Sequence, residues 1–548
     1  MSNDARTLVP PMAWNAWGDP EAAKPLSDGI RALLEQALGV TVSEIPAPSI
    51  DEVQVRPSAL ADEHRDALAE FVGADYIRTD DQGRLRYAGG KSTLDLLRRK
   101  QTHQDAPDAV LLPGNEDEIA TVLRYCSQHG IAVVPFGGGT SVVGGLDPIR
   151  GDFAAVISLD LRRLDALHSL DETSMQAELG AGVTGPDAER LLGEHGFSLG
   201  HFPQSFRFAT IGGYAATRSS GQDSAGYGRF NDMIRGLTVV TPVGVLNLGR
   251  APETAAGPDL RELFSGSEGV FGVITRVRLR VHPVPETVRY EAWSFPDFAT
   301  GAAALRAVTQ TGTGATVLRL SDEAETGVNL ATTGNIGEQS ITGGCLALTL
   351  FEGSAAHTES RHAETRAVME AQGGTSLGEA PARAWEHGRF DAPYLRDSLL
   401  AAGALCETLE TATTWANLAT LKAAVTEALT NSLGGQERSD SGLDSAESGT
   451  PALVMCHISH VYPTGASLYF TVVAGQRGDV AAQWLAAKVA ASDAISRTGG
   501  TITHHHAVGA DHRPWMGAEI GELGVKVLRA VKEAVDPAGI LNPGKLIP

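Results

Sequence analysis

The chain has 548 residues, more than one ordinary domain, and its 66 acidic against 44 basic residues give a formal net charge of −22. That charge argues against a nucleic-acid-binding protein, which normally carries a basic face, and no run of about 18 apolar residues exists to span a membrane. The four cysteines are far apart and form no CxxC pair, which argues against a structural zinc site and favours a reducing cytoplasm.

The first clear structural pattern begins after residue 104. Residues 1–104 are polar and mixed, and we expect them to form an extension packed on the main body. From Asp108 the sequence predicts a β-α-β unit: an apolar run, a helix that begins after Asn115 and ends at Gly130, and the strand 131–135. The helix is indicated by apolar residues at i, i+3, i+4 and i+7, namely Ile119, Val122, Leu123 and Cys126.

The β-α-β unit leads into a glycine-rich loop that can present consecutive backbone N–H groups to a phosphate. The loop consists of Pro135, Phe136, Gly137, Gly138, Gly139, Thr140 and Ser141. It is not a Walker loop, because no GK[ST] follows. It also lacks the GxGxxG strand-helix fingerprint, which disfavours a nicotinamide Rossmann enzyme.

Further loops of small residues follow in a region of many short strands. One contains Gln204, Ser205, Phe206, Arg207, Phe208, Ala209 and Thr210 and is followed by Thr217, Arg218, Ser219 and Ser220. Another contains Glu268, Gly269, Val270, Phe271, Gly272, Val273 and Ile274. One such loop is an ordinary turn, but several in one β-rich region indicate an extended dinucleotide held largely by the backbone.

Strands alternate with Ala-rich helices from about residue 290 to 500, with one helix around 418–429. Residues 432–450 are rich in Gly and Ser, and we expect a mobile surface insertion there. The last predicted helix places Leu523, Val527, Val531 and Ala534 on one face and ends at Asp536-Pro537.

The motifs PFGGGTS, PQSFRFATIGGYAATRSSG, GSEGVFGVIT and HHHAVG occur in that order, and together they resemble the FAD-binding proteins of the vanillyl-alcohol-oxidase type. Within them the chain most resembles the alkyldihydroxyacetonephosphate synthases, from the motif Trp14–Gly18 to Pro548. The resemblance implies an α+β fold: a two-subdomain FAD-binding domain with an inserted α/β substrate-cap domain. The expected boundaries are an extension at 1–104, the FAD-binding domain at 105–285, the cap at 286–500 and a C-terminal segment at 501–548.

The resemblance also implies a redox-neutral reaction. Such enzymes exchange the acyl group of acyl-dihydroxyacetonephosphate for a long-chain alcohol, and flavin N5 holds the substrate carbon in between. No histidine lies in the first glycine-rich loop, so we expect FAD to be bound non-covalently. We also expect a homodimer in the cytoplasm with peripheral membrane contact, and no metal.

The resemblance assigns catalytic proton transfer to His504, His505 and His506, and neutral imidazoles suit that role. Without the resemblance, a solvated histidine run or an adventitious metal site is the favoured explanation. If the segment is a strand, at most His504 and His506 share a face. Ala507 replaces a glycine of the family motif.

Tyr469 falls at the position of the family's catalytic tyrosine, which is the acid/base for the C1 proton. Tyr462 is the other candidate for that role. Without the resemblance, a tyrosine in a strand is usually structural. A substrate phosphate calls for arginine. Arg396, in a motif that matches the family's Tyr-Ile-Arg-Asp, is the predicted phosphate ligand, and Arg319 is predicted to organise the active site. The alternative for either arginine is a salt bridge, for Arg396 with Asp391 or Asp397.

Two departures leave a second function open. The basic cluster that follows the family's histidines is reduced here to Arg513, and the tail LNPGK resembles the FAD-dependent 2-hydroxyacid dehydrogenases. Those enzymes have His506's counterpart as catalytic histidine but carry Glu where this chain has His505. The runner-up is therefore an FAD-dependent dehydrogenase of the D-lactate or glycolate type, and a third reading is a non-catalytic flavin-binding protein.

Overall fold

The computed structural model describes residues 12–23, 25–40, 48–332, 344–434 and 451–548. The insertion expected at 432–450 lies outside the described residues from 435 onward, and the residues before it complete a helix. Within the described part, no helix is both long and apolar enough to cross a membrane.

The N-terminal extension wraps the main body with short elements. They are α1 (Asp28–Leu38), β1 (Gln54–Val55), α2 (Asp62–Val72), β2 (Ile77–Arg78), α3 (Asp81–Leu85), α4 (Thr93–Arg98) and β3 (His103–Gln104). Its contacts are specific rather than loose: the Thr93 hydroxyl donates to the carbonyl of Cys406, 313 residues later.

A four-stranded sheet follows, with strand order β2-β4-β6-β5 and parallel pairing of β4, β6 and β5. Its new elements are β4 (Ala109–Leu111), α5 (Glu116–His129), β5 (Ile131–Phe136) and β6 (Ala155–Asp160). The predicted β-α-β unit is thus confirmed: the Asn115 side chain accepts from Glu118 N, and Gly130 ends α5 at a φ of 63°. That left-handed φ favours glycine.

The next sheet is five-stranded and antiparallel, in the order β11-β10-β12-β8-β7. Its region contains β7 (Leu167–Asp171), β8 (Gln176–Gly180), α6 (Gly185–Gly193), β9 (Phe197–Ser198), α7 (Ile211–Thr217), α8 (Ser224–Tyr227), α9 (Phe230–Met233), β10 (Ile234–Thr241), β11 (Gly244–Leu248), α10 (Leu260–Phe264), β12 (Val273–Arg280) and β13 (His282–Pro283).

The largest sheet has seven antiparallel strands in the order β17-β14-β16-β15-β19-β20-β18. Its region contains β14 (Thr287–Phe295), α11 (Phe298–Thr311), β15 (Val317–Ser321), α12 (Glu323–Thr332), β16 (Cys345–Gly353), α13 (Ala355–Ala371), β17 (Thr375–Gly378), α14 (Ala380–Gly388), α15 (Ala392–Ala401), β18 (Ala404–Thr414), α16 (Leu418–Leu433), β19 (Leu453–Tyr462), β20 (Gly465–Gly475) and α17 (Val480–Arg497). One apolar core, which includes Leu421, Val425, Phe470 and Trp484, joins this sheet to α16 and α17.

The chain ends in α18 (Met516–Val535), and its tail returns to the first sheet, where Val133 pairs with Leu541. The predicted apolar face of α18 divides in two. Val531 packs on the core, whereas Leu523 and Val527 are 75% and 54% exposed. Residues 501–511, which precede α18, contact all three larger sheets or the loops beside them. Thr501 pairs with Ala412 of β18, the N–H of Val508 donates to Glu268 before β12, and the N–H of Ala510 donates to the carbonyl of Val143 after β5.

Candidate active site

The glycine-rich loop and the later small-residue loops come together, as expected from their composition. A Cβ added to Gly138 would lie 2.0 Å from the carbonyl oxygen of Phe208, and one added to Gly137 would lie 2.4 Å from Thr210 Oγ1. A Cβ on Gly269 would lie 2.8 Å from the ring of Pro135. The first loop therefore contacts the other two at distances that only glycine allows.

The polar atoms of these loops fit a large polar ligand. Buried side-chain atoms without a hydrogen-bond partner include Gln204 Nε2, Ser267 Oγ and Asn542 Oδ1. Buried polar groups are normally paired, so such atoms point to a ligand that pairs them. Within the second loop set, Arg218 instead holds its own neighbourhood together, since its guanidinium donates to Glu262 and to the carbonyl of Ser265.

The predicted histidines lie in a bend rather than in a strand, so the alternation expected for a strand does not apply. His504 Nδ1 lies 3.0 Å from His505 Nδ1, and the rings of His505 and His506 are 4.6 Å apart. Ala507 has a φ of 72°, in the left-handed region that glycine favours. Burial lowers the pKa of all three histidines, which keeps their imidazoles neutral at neutral pH.

A fourth histidine, which sequence reasoning missed, completes the cluster. His460, at the end of β19, has its ring 5.0 Å from that of His504 and 5.3 Å from that of His505. Its Nε2 lies 3.1 Å from the carbonyl oxygen of Gly221, which fixes the proton on that nitrogen. One ring nitrogen from each of these three histidines lies within 4.8 Å of the others, a grouping that suits proton exchange and is also of the kind that binds metals.

The histidine cluster continues to a groove through Tyr462. The Tyr462 hydroxyl lies 2.6 Å from His504 Nε2. Tyr462 also lines a groove of about 520 Å³, together with Thr414, Gly465 and Glu519. The Tyr462 hydroxyl and the imidazoles of His504 and His505 therefore form a chain of close contacts that can pass a proton, ending at a residue that lines the groove.

Tyr469, the predicted catalytic tyrosine, lies beside the same histidines. Its ring stacks with that of His505 at 6.0 Å between centroids and meets that of His506 edge-on at 5.7 Å. Burial raises the pKa of Tyr469 to about 12, although a hydrogen bond with Thr408 opposes the rise. The phenol is therefore protonated at neutral pH and is a hydrogen-bond donor in its resting state.

Arg319 reaches this tyrosine through two side chains that sequence reasoning missed. Its Nη2 donates to Glu325 Oε1 at 2.5 Å, and His457 Nδ1 donates to Glu325 Oε2 at 2.8 Å. The His457 ring in turn stacks on Tyr469. Burial alone would raise the pKa of Glu325, but His457 and Arg319 lower it to about 2.

Arg396, the predicted phosphate ligand, is buried on α15 and already has partners. Its Nε and Nη2 donate to Asp397 Oδ1, and its Nη1 donates to the carbonyl of Lys91 at 2.7 Å. Asp397 Oδ2 accepts from the backbone N–H of Trp17, in the N-terminal motif. Arg396 therefore makes one of the salt bridges that the sequence allowed, and its charge is also close enough to Tyr469 to oppose the rise in the pKa of the phenol.

Another arginine, Arg229, links the second set of small-residue loops to the histidines. Its Nε donates to Ser220 Oγ at 3.0 Å, and its Nη2 donates to the carbonyl oxygens of Arg218 and His504. No motif singles out this residue, because its partners lie up to 275 positions away.

Two family models match the chain: "FAD binding domain" over residues 107–249 and "FAD linked oxidases, C-terminal domain" over 284–546. The alkyldihydroxyacetonephosphate synthase of Trypanosoma brucei brucei is 33% identical, and the match covers 98% of this chain and 92% of the relative. A solved alkyldihydroxyacetonephosphate synthase structure superposes with a TM-score of 0.83 at 30% identity, covering 98% of this chain and 99% of the other. The 4-ethylphenol oxidase of Gulosibacter chungangensis shares the fold alone, with a TM-score of 0.64 at 15% identity over 89% of this chain and 98% of the other.

Proposed function

We propose that this chain, which belongs to the alkyldihydroxyacetonephosphate synthase family, replaces the acyl group of 1-acyl-dihydroxyacetonephosphate by a long-chain alcohol. The α+β fold expected from the sequence is confirmed, and the enzyme is a flavoprotein. The observation that carries the proposal is the contact of Tyr469 with His505 and His506 beside loops that suit a dinucleotide. The full-length similarity to synthases favours this reaction over the dehydrogenase alternative.

The loops around Gly137–Ser141, Gln204–Thr210 and Glu268–Ile274 would hold the FAD. Their backbone N–H groups would be available to its pyrophosphate. The unpaired side-chain atoms of Gln204, of Ser267 just before the third loop and of Asn542 in the C-terminal tail would be available to its polar edges. The bound flavin supplies N5 as the nucleophile toward the substrate carbon. We propose that the cofactor is held without a covalent link, because the first loop contains no histidine.

The overall exchange is balanced without an oxidant or a reductant. The bond between C1 and the acyl oxygen breaks, and the acyl group leaves as a carboxylate with both electrons of that bond. A bond forms between C1 and the alcohol oxygen, and the alcohol loses its proton. The chain must therefore accept the alcohol proton, and any proton taken from C1 during the exchange must be returned to it, since C1 keeps both of its hydrogens overall; the chain contains groups for both tasks.

Tyr469 is assigned to the C1 proton. Since its phenol has a pKa of about 12, it gives up its proton only when a neighbouring base accepts it, and the neutral rings of His505 and His506 lie next to it. The alcohol proton passes to the neutral imidazoles of His504 and His505. From there Tyr462 connects the pair to the groove.

Arg396 is assigned to the substrate phosphate. A guanidinium is the side chain best suited to a phosphate, and burial strengthens the interaction. The hydrogen bonds to Asp397 and to the Lys91 carbonyl orient the guanidinium before substrate arrives. Arg319 organises the site by holding Glu325, and thereby His457, against Tyr469.

A homodimer that works in the cytoplasm at a membrane surface is part of the same proposal. Exposed apolar side chains on the two long helices α17 and α18 support membrane contact, among them Leu485, Leu523 and Val527. The net charge of −22 predicts weak binding to anionic lipid and contact with neutral lipid instead. Sedimentation with neutral and anionic vesicles, together with light scattering for the dimer, tests both statements.

The decisive experiment is an anaerobic incubation of FAD-loaded protein with acyl-dihydroxyacetonephosphate and an ¹⁸O-labelled long-chain alcohol. We expect a labelled alkyl-dihydroxyacetonephosphate and unlabelled free fatty acid, read by mass spectrometry. If FAD is bound and no ether product forms, the assignment is wrong. Bleaching of the flavin by D-lactate or glycolate, with recolouring by a dye acceptor, would then support the dehydrogenase.

A further inference from the structure

The stretch 503–509, which contains all three histidines of the triplet, is held at both ends by a buried carboxylate. One carboxylate belongs to Glu410 on β18 of the large sheet. The other belongs to Glu268, in the turn before β12 of the five-stranded sheet. The sequence singled out Glu268 only as part of a cofactor-type loop, and it did not single out Glu410 at all.

Glu410 binds the first half of the stretch with both of its oxygens. Oε1 accepts from the Thr503 hydroxyl at 2.6 Å and from the N–H groups of His505 and His506 at 3.1 and 2.9 Å. Oε2 accepts from the N–H of His504 at 2.6 Å. Four donors, three of them consecutive amides, therefore converge on one side chain from which solvent is excluded.

These contacts require an ionised carboxylate. Burial alone would raise the pKa of Glu410, but the hydrogen bonds that its carboxylate accepts from Thr503 and from the amides of the triplet help to lower it to about 2. An amide in its place has one accepting oxygen and one donating nitrogen, so Gln at position 410 would turn an N–H group toward at least one donor. A hydrogen bond to a charged acceptor is also stronger than one to a neutral acceptor.

Glu268 binds the second half of the stretch. Its Oε2 accepts from the N–H groups of Val508 and Gly509 at 3.1 and 3.0 Å, and its Oε1 lies 2.9 Å from the same Gly509 nitrogen. Its carbonyl oxygen accepts from Asn542 Nδ2, so the turn itself is fixed to the C-terminal tail. Between the two carboxylates lies Ala507 in its left-handed conformation.

We propose that Glu410 and Glu268 are positioning residues that hold the histidine triplet between the two sheets, with Glu410 setting the ring directions of His504, His505 and His506. The geometry supports this role because three successive N–H groups bonded to one carboxylate fix the backbone, and with it the direction in which each Cα–Cβ bond leaves the chain. The rings of His505 and His506 also face that carboxylate, with their Nδ1 atoms 3.7 and 3.9 Å from its oxygens. The catalytic consequence rests on the proposed function, whereas the positioning itself does not depend on it.

The first test measures positioning without using activity. Residue-resolved amide hydrogen exchange is recorded on the FAD-loaded protein for the wild type, Glu410→Gln and Glu268→Gln. We expect exchange at residues 504–506 to rise at least about tenfold in Glu410→Gln with residues 508 and 509 unchanged. In Glu268→Gln we expect a smaller rise, confined to 508 and 509, because burial raises the pKa of Glu268 to about 7 and its side chain is already partly neutral at neutral pH. Unchanged exchange at 504–506 in Glu410→Gln would overturn the proposal.

The matched control is Glu291→Gln. Glu291 is a buried carboxylate on β14 of the same large sheet, and its partners are His362, Arg366 and Ser376 rather than the triplet. We expect this variant to lose stability and to keep wild-type exchange at 504–509. If it loosens the triplet as much as Glu410→Gln does, general destabilisation explains the effect and the proposal is wrong.

The second test measures catalysis. In Glu410→Gln we expect kcat for ether formation to fall about 100-fold, with KM for acyl-dihydroxyacetonephosphate within about threefold and FAD content unchanged. A KM increase with kcat unchanged would contradict the assignment. Failure of the wild type to form ether would refute the proposed function and would leave the exchange result to decide the positioning role alone.

Should Glu410→Gln not accumulate, Thr503→Val removes a single donor from the same carboxylate. The Thr503 hydroxyl makes the shortest of the three bonds to Oε1 and holds that oxygen against the loop, so without it the carboxylate is less firmly oriented. We expect a smaller rise in exchange at 505 and 506, whose N–H groups bond to the same oxygen. Wild-type exchange at both residues would overturn the proposal for Glu410.

Discussion

The imidazole of His457 stacks on the phenol of Tyr469, with ring centroids 4.9 Å apart and planes inclined by 19°. The two residues are directly opposite each other on β19 and β20. Since Glu325 accepts from His457 Nδ1 and also holds Arg319, the direction of the imidazole is set by a buried ion pair. The tyrosine ring therefore rests on a neighbour whose tautomer and orientation are both fixed.

This relationship predicts that Glu325 acts through His457. Glu325→Gln leaves Arg319 without its counter-ion and frees the imidazole to rotate, so we expect kcat to fall about 10- to 100-fold with FAD retained. The control is Glu323→Gln. The Glu323 carboxylate accepts from the N–H of Phe298, away from His457, so this variant should leave turnover within about twofold. Steady-state ether formation and the flavin absorbance measure both quantities. Equal activity of the two variants would refute the role.

Tyr469→Phe should keep FAD and lose turnover by about 100-fold or more, because only the phenolic hydroxyl is removed and the ring contacts remain. The flavin absorbance per chain and the yield of ether product test this. Tyr462→Phe is the comparison, since it removes a hydroxyl that bonds to His504 and to Ser220 and does not contact the reacting carbon in this assignment, and a milder loss is expected. An active Tyr469→Phe enzyme would remove the assignment of this residue.

Gly138→Ala should lower FAD content. The added methyl would lie 2.0 Å from the Phe208 carbonyl oxygen, so the first and second loops must separate. Gly193→Ala is the matched control in α6, where an added methyl has nothing within 4 Å. The ratio of flavin to protein after gel filtration reports the outcome. Full flavin content in Gly138→Ala would show that these loops do not hold the cofactor.

Substitution of Arg396 distinguishes a structural role of this residue from a substrate-binding role. If it binds the phosphate, Arg396→Lys should raise KM for acyl-dihydroxyacetonephosphate by about tenfold or more, because the bidentate fork is lost while the charge remains. A purely structural role predicts instead a lower melting temperature with KM unchanged, from loss of the bonds to Asp397 and Lys91. Asp397→Asn provides the comparison, since it perturbs the same pair from the other side.

Stability should fall as the pH drops from 6.5 toward 3. Burial lowers the pKa of both His201 and His460 from 6.5 to about 3. In that window the unfolded chain binds protons at these two positions and the folded chain does not. Protonation therefore favours the unfolded chain, and the free energy of unfolding falls as the pH is lowered below 6.5. Thermal midpoints at pH 7.5, 6 and 5 test this. His460→Gln should flatten the dependence, and an unchanged slope would contradict the prediction.

Local patterns in the sequence were sufficient for local structure. The apolar spacing in α5 and the residues Asn115 and Gly130 at its ends specify that helix, because caps and periodicity act within a few residues. The glycines at 137 and 138 likewise indicate a close approach of two backbones, although not which ones. Motifs also placed Tyr469 and the three histidines in one site, and the structure brings them into contact.

The tertiary structure alone decided which residues support that site. Glu410, His457 and Arg229 look like ordinary strand and turn residues. Glu410 and Arg229 bond to His504 across 94 and 275 positions, and His457 bonds to Glu325 across 132, so no local pattern identifies them. The sequence allowed either Asp391 or Asp397 as the partner of Arg396. The structure shows that it is Asp397, which also binds the N–H of Trp17 in the N-terminal segment. A buried charge is specified by the donors that surround it in space, and those donors are assembled only when the three sheets pack together.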